Sequence, residues 1–173
     1  MDPRQLLPCR LDRRQTVIAL LAAVLTASGP GPARAQDSAM IEFVRDLYAR
    51  EIAMHLARTP DSAEAFFALF ARDLRALLQA PRPYAGREPI GRILHAFFGW
   101  GVLPGQPVKL LRVVAAEGGT GGRTLVRVDL EHHGATHRII VRPVREDGLW
   151  KIADISYDSG ESLRTYYRRI TGR

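Results

Sequence analysis

Leu125-Val126-Arg127-Val128-Asp129-Leu130-Glu131 is the stretch from which the fold can be read, because apolar and charged residues alternate in it with the period of two that a half-buried strand requires. Val126, Val128 and Leu130 fall on one side, and Arg127, Asp129 and Glu131 on the other. Neighbouring β-branched runs extend the pattern, so strands are expected at about 108–116, 123–131, 137–145 and 149–157. Their separators are the glycine-rich run from Glu117 to Gly122, His132-His133-Gly134-Ala135-Thr136 and Glu146-Asp147-Gly148, which suit an antiparallel meander. Alternation places Leu111, Val113, Val126, Val128, Leu130, Ile139, Val141, Trp150 and Ile152 on a face that helices must cover. Arg112, Arg127, Asp129, Glu131, Arg138, Arg142 and Lys151 fall on the other face, interrupted by Leu110, Leu125, Ile140 and Val144. That second face suits either solvent and cross-strand ion pairs or a homodimer contact.

Upstream of the strands the period changes. Ile41, Val44, Tyr48, Ile52 and Leu56 recur at helical spacing, predicting an amphipathic helix over 40–56. Pro60-Asp61-Ser62-Ala63-Glu64 is a breaker followed by a capping-box-like start, and Phe66, Phe67, Phe70, Leu74, Leu77 and Leu78 then predict a second helix ending near Ala80. Ten prolines and glycines punctuate 81–107, with a short helix expected around Ile90–Phe98. After the strands, Asp158-Ser159-Gly160-Glu161 reads as a cap opening a terminal helix with a Leu163, Tyr166, Tyr167 and Ile170 stripe. Arg164, Arg168, Arg169 and Arg173 lie opposite that stripe, where cations favour a helix C-terminus. Helices followed by a sheet on which they pack make an α+β class: N-terminal helices on a curved four-stranded antiparallel sheet with a short C-terminal helix.

The first 35 residues read as an address. Arg10, Arg13 and Arg14 precede an uncharged run from Val17 to Ala27, and Ala33-Arg34-Ala35 offers small residues to a signal peptidase, with cleavage expected before Gln36. The run is about half the ~20 residues of a membrane span, so no permanent span is expected after cleavage. Arg13-Arg14 resembles the twin-arginine signal, although Thr16 stands where that signal carries a large apolar residue, and the general route stays open. The expectation is a signal peptide at 1–35, one domain at 36–173, and a periplasmic or secreted location. Cys9, the only cysteine, falls in the leader, so the expected mature chain has no disulfide and no thiolate site.

Cleavage would leave 20 basic and 16 acidic residues. A nucleic-acid partner is not expected, because such an excess would have to be concentrated with base-stacking aromatics. Gly118-Gly119-Thr120-Gly121-Gly122 lacks the lysine and strand-to-helix setting of a phosphate loop, and no Gly-x-Ser-x-Gly elbow occurs, so no cofactor is expected. His132, His133 and His137 cluster at one hairpin, but adjacent residues should face opposite ways and only Glu131 is at hand to complete a set, so no metal is expected.

Phe43-Val44-Arg45-Asp46-Leu47-Tyr48-Ala49-Arg50, Phe97-Phe98-Gly99-Trp100-Gly101-Val102-Leu103-Pro104-Gly105 and Val144–Ile155 with Gly160-Glu161-Ser162-Leu163-Arg164 are together similar to an exported bacterial family, domain of unknown function 3828, over nearly the whole expected mature chain. The arrangement resembles the cone-shaped nuclear-transport-factor-two-like (cystatin-like) superfamily. The resemblance implies a fold and a compartment and transfers no catalytic residue. The end of the chain, Trp150–Ile155 followed by Gly160–Leu163 and Tyr167-Arg168, is also similar to periplasmic phospholipid carriers of the toluene-tolerance auxiliary type.

In a cone fold, helices and a concave sheet enclose a largely apolar pocket. Tyr48, His55, Phe66, Phe97, Trp100, Trp150, Ile152 and Asp154 are the candidates for its wall, weighed against ordinary core packing. Strict alternation puts Asp154 on the face of Trp150 and Ile152, where burial would fit it for acid–base work, alone or with His55; the alternative is a strand-end carboxylate bonded to backbone amides. The expected function is non-enzymatic binding of a small hydrophobic or amphipathic ligand or docking to an envelope partner. The alternatives are a phospholipid shuttle and an isomerase or dehydratase using Asp154.

Overall fold

The computed structural model describes residues 32–81, 94–116 and 124–172, with side chains from Gln36 onward and excepting that of Trp100. The glycine-rich connection at 117–123, residues 82–93, Arg173 and the expected leader core therefore lie outside the described residues. Contacts divide the chain into Met1–Ala35 and Gln36–Arg173, and the second unit is the subject below. Helix α1 spans Pro32–Ala57, α2 Ala63–Ala68 and α3 Arg72–Leu78. A two-strand hairpin, β1 Leu94–His95 with β2 Gly99–Trp100, precedes the main sheet of β3 Val108–Ala116, β4 Leu125–His132, β5 Ala135–Glu146 and β6 Leu149–Tyr157. Helix α4, Leu163–Thr171, follows.

The main sheet is an antiparallel meander in the order β3-β4-β5-β6, the α+β arrangement the alternation predicts. Val126, Val128, Leu130, Ile139 and Val141 carry the core face, with Val126 opposite Val141 and Val128 opposite Ile139. Two bulges break the alternation. Between Leu110 and Arg112 the register shifts, so Leu110 pairs with core Leu130 while Leu111, expected in the core, is 42 % exposed. The second shift lies at Arg142/Pro143: Pro143 pairs with Ile152, Arg142 with Asp154 and Val141 with Ile155, leaving Ala153 as the extra residue. Proline has no N–H to give the ladder, which is the physical reason a bulge sits beside it. On the opposite face Asp129 is 3.3 Å from Arg127 of its own strand and 3.9 Å from Arg138 of β5, the second being the cross-strand ion pairing that face suits.

The expected single helix over 63–80 is two helices. Ser62 caps the first, its Oγ accepting from the Ala65 amide at 3.2 Å. The chain then leaves the helix to bond the outer edge of β6, with Ile152 N donating to Leu69 O and Ala71 N to Ile152 O, both at 2.9 Å. Lys151 Nζ reaches Ala68 O at the same place. Restarting at Arg72, α3 has no side-chain cap of its own; Glu146 of β5 accepts from the Arg72 amide at 3.0 Å. The same edge of β6 is closed further along, where Tyr157 N donates to Glu161 O. Helix α4 is capped by Ser162, just past the expected Asp158–Glu161 cap.

Around Phe97 the helices and hairpin meet the sheet. Phe97 stacks on Phe70 at 5.9 Å and meets Phe66 and Tyr48 edge-on at 6.0 and 6.1 Å. Where a short helix was expected around Ile90–Phe98, the described part from Leu94 is the β1–β2 hairpin. Gly99 turns it with φ +88°, and a Cβ there would stand 3.4 Å from the Tyr157 ring. Tyr157 in turn donates its hydroxyl to Ala96 O at 2.7 Å, fastening the hairpin to β6. No helix among the described residues is long and apolar enough to cross a membrane.

Candidate functional site

The buried face of α1 is not quite the one its apolar residues predict. Met40, Val44, Leu47 and Tyr48 are buried, and the same face continues into Glu51 and His55, while Leu56 is exposed and Ile41 and Ile52 are half-buried. Spacings of three and four put Tyr48, Glu51 and His55 in one line. Counting only apolar residues rotates the stripe away from them, because two members of the true inward face are polar. They face inward because a cavity, not close-packed core, lies beside the second half of the helix.

That cavity measures about 670 Å³. Its walls come from α1 (Glu51, Met54, His55, Arg58), from Asp61 and α2 (Phe66, Phe67), from the β1 hairpin (His95, Phe97), from the Pro104 loop and from Tyr167 of α4. Most of the surface is aromatic or aliphatic, with a few polar groups, the composition of a small-molecule site.

Each polar group is held by identifiable partners. Arg50 Nη2 bonds Glu51 Oε1 at 2.9 Å and Asp61 Oδ2 at 3.3 Å. Burial pushes the Glu51 carboxyl above its ordinary range; Arg50 pulls it back and Asp61 adds to the rise. His55 Nε2 lies 3.1 Å from the Gln106 carbonyl oxygen, an acceptor only, so that nitrogen carries the proton and Nδ1 is left as the acceptor of the neutral ring. His95 Nδ1 accepts from the Phe97 amide at 3.3 Å, which leaves the proton on Nε2. Burial, with the neighbouring His55 charge, pushes the His95 pKa down to about 4, keeping the ring neutral in ordinary buffers. The two rings meet edge-on at 5.4 Å, and His95 stacks on Phe98 at 4.3 Å. Tyr48 is fully buried, with no hydrogen-bond partner for its hydroxyl among the described residues; burial, then the Glu51 charge, pushes that hydroxyl well up.

His55, Phe66 and Phe97 of the sequence candidates meet on the cavity wall, and Tyr48 lies beneath them against Phe97. The others go elsewhere. Ile152 is wholly buried where β6 meets the Leu69–Ala71 segment. Trp150 stacks on Phe43 at 6.5 Å with Arg145 over its ring. Trp100 falls in β2, its side chain outside the described set. Asp154 is turned by the bulge at Ala153 to the Arg142 register position, while Ile155 joins Val141 in the core. Its Oδ1 accepts from the amides of Ile155 at 2.9 Å and Arg164 at 3.1 Å, tying the first turn of α4 to β6. It does not line the cavity.

Glu51, Asp61, His95, Arg58 and Tyr167 line the cavity and were not singled out as candidates. The Tyr48-Glu51-His55 spacing was the legible sign of Glu51; nothing in the sequence brings His95 or Tyr167 to the same place. The histidine hairpin is built differently from its alternation. His133 has φ +51°, and its ring lies 4.1 Å from His132, on the same side and not the opposite one. His132 bonds Gln106 Oε1 at 3.1 Å and His137 bonds Asp158 at 3.1 Å. Among the described residues no group of three His, Cys, Asp or Glu is placed to hold a metal ion.

No protein-family model, curated protein or solved structure matches this chain. The functional reading therefore rests on the residues and their geometry.

Proposed function

We propose that this chain is an exported protein that binds a small hydrophobic or amphipathic molecule in the α1–α2–hairpin cavity without transforming it. The observation that carries the reading is the cavity itself: about 670 Å³, walled largely by aromatic and aliphatic side chains, with its few polar groups gathered along α1 and β1. That volume is within the range of small-ligand sites, roughly 300–1,000 Å³. Binding without chemistry is supported by how the polar groups are engaged. Asp154, the carboxylate expected to do acid–base work, is occupied by two amides away from the cavity. Export, and with it a periplasmic or secreted location, is supported by the basic, apolar and small-residue succession of residues 1–35.

The test is native mass spectrometry of the full chain expressed in a bacterial host and purified without detergent, followed by organic extraction. A stoichiometric added mass, lost when Phe66 is replaced by a tryptophan that fills the cavity, supports the reading. An extracted phospholipid would make the protein a lipid shuttle. A bare mass, with no thermal shift from any of a broad set of small amphiphiles, would end the ligand-binding reading.

A further inference from the structure

We propose that the ligand is a small organic cation, an ammonium group carried on an aromatic or branched apolar body; this rests on the reading of the cavity as a ligand site. The charges on its wall are unevenly matched. Glu51 and Asp61 both line it, and among the described residues they share a single counter-ion, Arg50. The Arg50 side chain is about half exposed and is not part of the wall, so among the described residues two carboxylates line the cavity against one arginine, Arg58. Only Oε1 of Glu51 takes the Arg50 bond; among the described residues Oε2 takes none. A carboxylate held this deep needs a second partner, because charge removed from water without full pairing is costly.

The rest of the wall favours a cation of modest hydration. Phe66, Phe67 and Phe97 are part of the wall, and aromatic rings attract ammonium groups through their quadrupoles. His95 stays neutral at ordinary pH and adds no repulsion. Among the described residues the one arginine on the wall is Arg58, whose guanidinium also lies against the Gly105 turn, where a Cβ would lie 2.5 Å from Nε. An anionic ligand would instead have to displace Arg50 or meet Glu51 and Asp61 directly. A neutral ligand would leave the Glu51 charge unsatisfied.

The test uses three probes of nearly one size, titrated calorimetrically into the purified protein at neutral pH and low salt: 2-phenylethylammonium, 2-phenylethanol and phenylacetate. The ammonium is expected to bind about tenfold or more tighter than the alcohol, with phenylacetate weakest. Glu51→Gln should abolish the preference for the ammonium, bringing the ratio of the two affinities near one. Arg50→Gln, which removes the competing counter-ion at an exposed position, should tighten the ammonium several-fold. Equal or tighter binding of the alcohol or of phenylacetate to the unaltered protein would overturn the cation inference and leave the cavity reading standing. Failure of all three to bind at millimolar concentrations would overturn both.

Discussion

The corner between β6 and α4 and the cavity beside α1 each bury one carboxylate, Asp154 and Glu51, and the two are equally hidden, 7 % exposed apiece. Their surroundings differ. Asp154 holds two backbone amides, one from its own strand and one from the first turn of α4, which makes it a joint between elements. Among the described residues Glu51 holds no amide and has one partner, an arginine at the surface, and it lines the cavity with aromatic residues. Burial of a charged group is therefore no guide by itself to function. What it is bonded to decides whether it serves the fold or waits for a ligand.

The largest effect that sharpens this contrast is expected at Phe97, which belongs to the core and to the cavity wall. Phe97→Ala should cost about 3–5 kcal/mol in chemical denaturation and widen the cavity. A loss below about 1 kcal/mol would mean that the two regions are not joined through this ring. Acidification is the next test. His95 has a folded pKa of about 4 against the ordinary 6.5, so its neutral form stabilises the fold fully above 6.5, and that stability is lost as pH falls through 4. At ~1.4 kcal/mol per tenfold the histidine contributes at most about 3 kcal/mol. Glu51 works in the opposite sense, its raised pKa giving stability that is present below the ordinary carboxylate value and lost as pH rises through the folded one. His95→Gln should flatten the acid limb of a stability–pH curve measured by urea unfolding; an unaltered limb would place the acid sensitivity elsewhere.

Asp154→Ala should cost about 1–3 kcal/mol by stranding two buried amides, and Asp154→Asn, which keeps an acceptor oxygen, less. Ligand binding by the folded fraction should not change. Glu51→Gln should move stability at neutral pH by less than about 1 kcal/mol, because the Arg50 contact it loses is partly exposed and a buried charge disappears with it. A denaturation midpoint as low as that of Asp154→Ala would erase the distinction between the two carboxylates.

The meander and the helical ends were legible because alternation and helical spacing are local properties of the chain. The bulges were only half so. Pro143 announces one, since it cannot continue a ladder, but nothing around Leu111 announces the other. Hence the side of Asp154 was unreadable: one extra residue, Ala153, reverses strict alternation beyond it. The break at Leu69–Ala71 carries no glycine or proline, because it is made by pairing with Ile152 from across the sequence. For the cavity, the sequence held Phe66, Phe97 and His55 but not their meeting with Asp61, His95 and Tyr167, which depends on where the hairpin and α4 dock. Glu51 escaped notice because a glutamate between arginine and isoleucine on a helix reads as a solvated face.

The bonds from Leu69 and Ala71 to Ile152, and from Tyr157 to Glu161, bear on how copies of this protein meet. Growth of sheets into fibrils requires each copy to offer two unpaired strand edges, one to receive and one to template. Here the β6 edge is already spoken for by the chain itself, so β3 is at most the single free edge of the main sheet. Edge-to-edge pairing of main sheets that runs through β3 alone therefore stops at a pair.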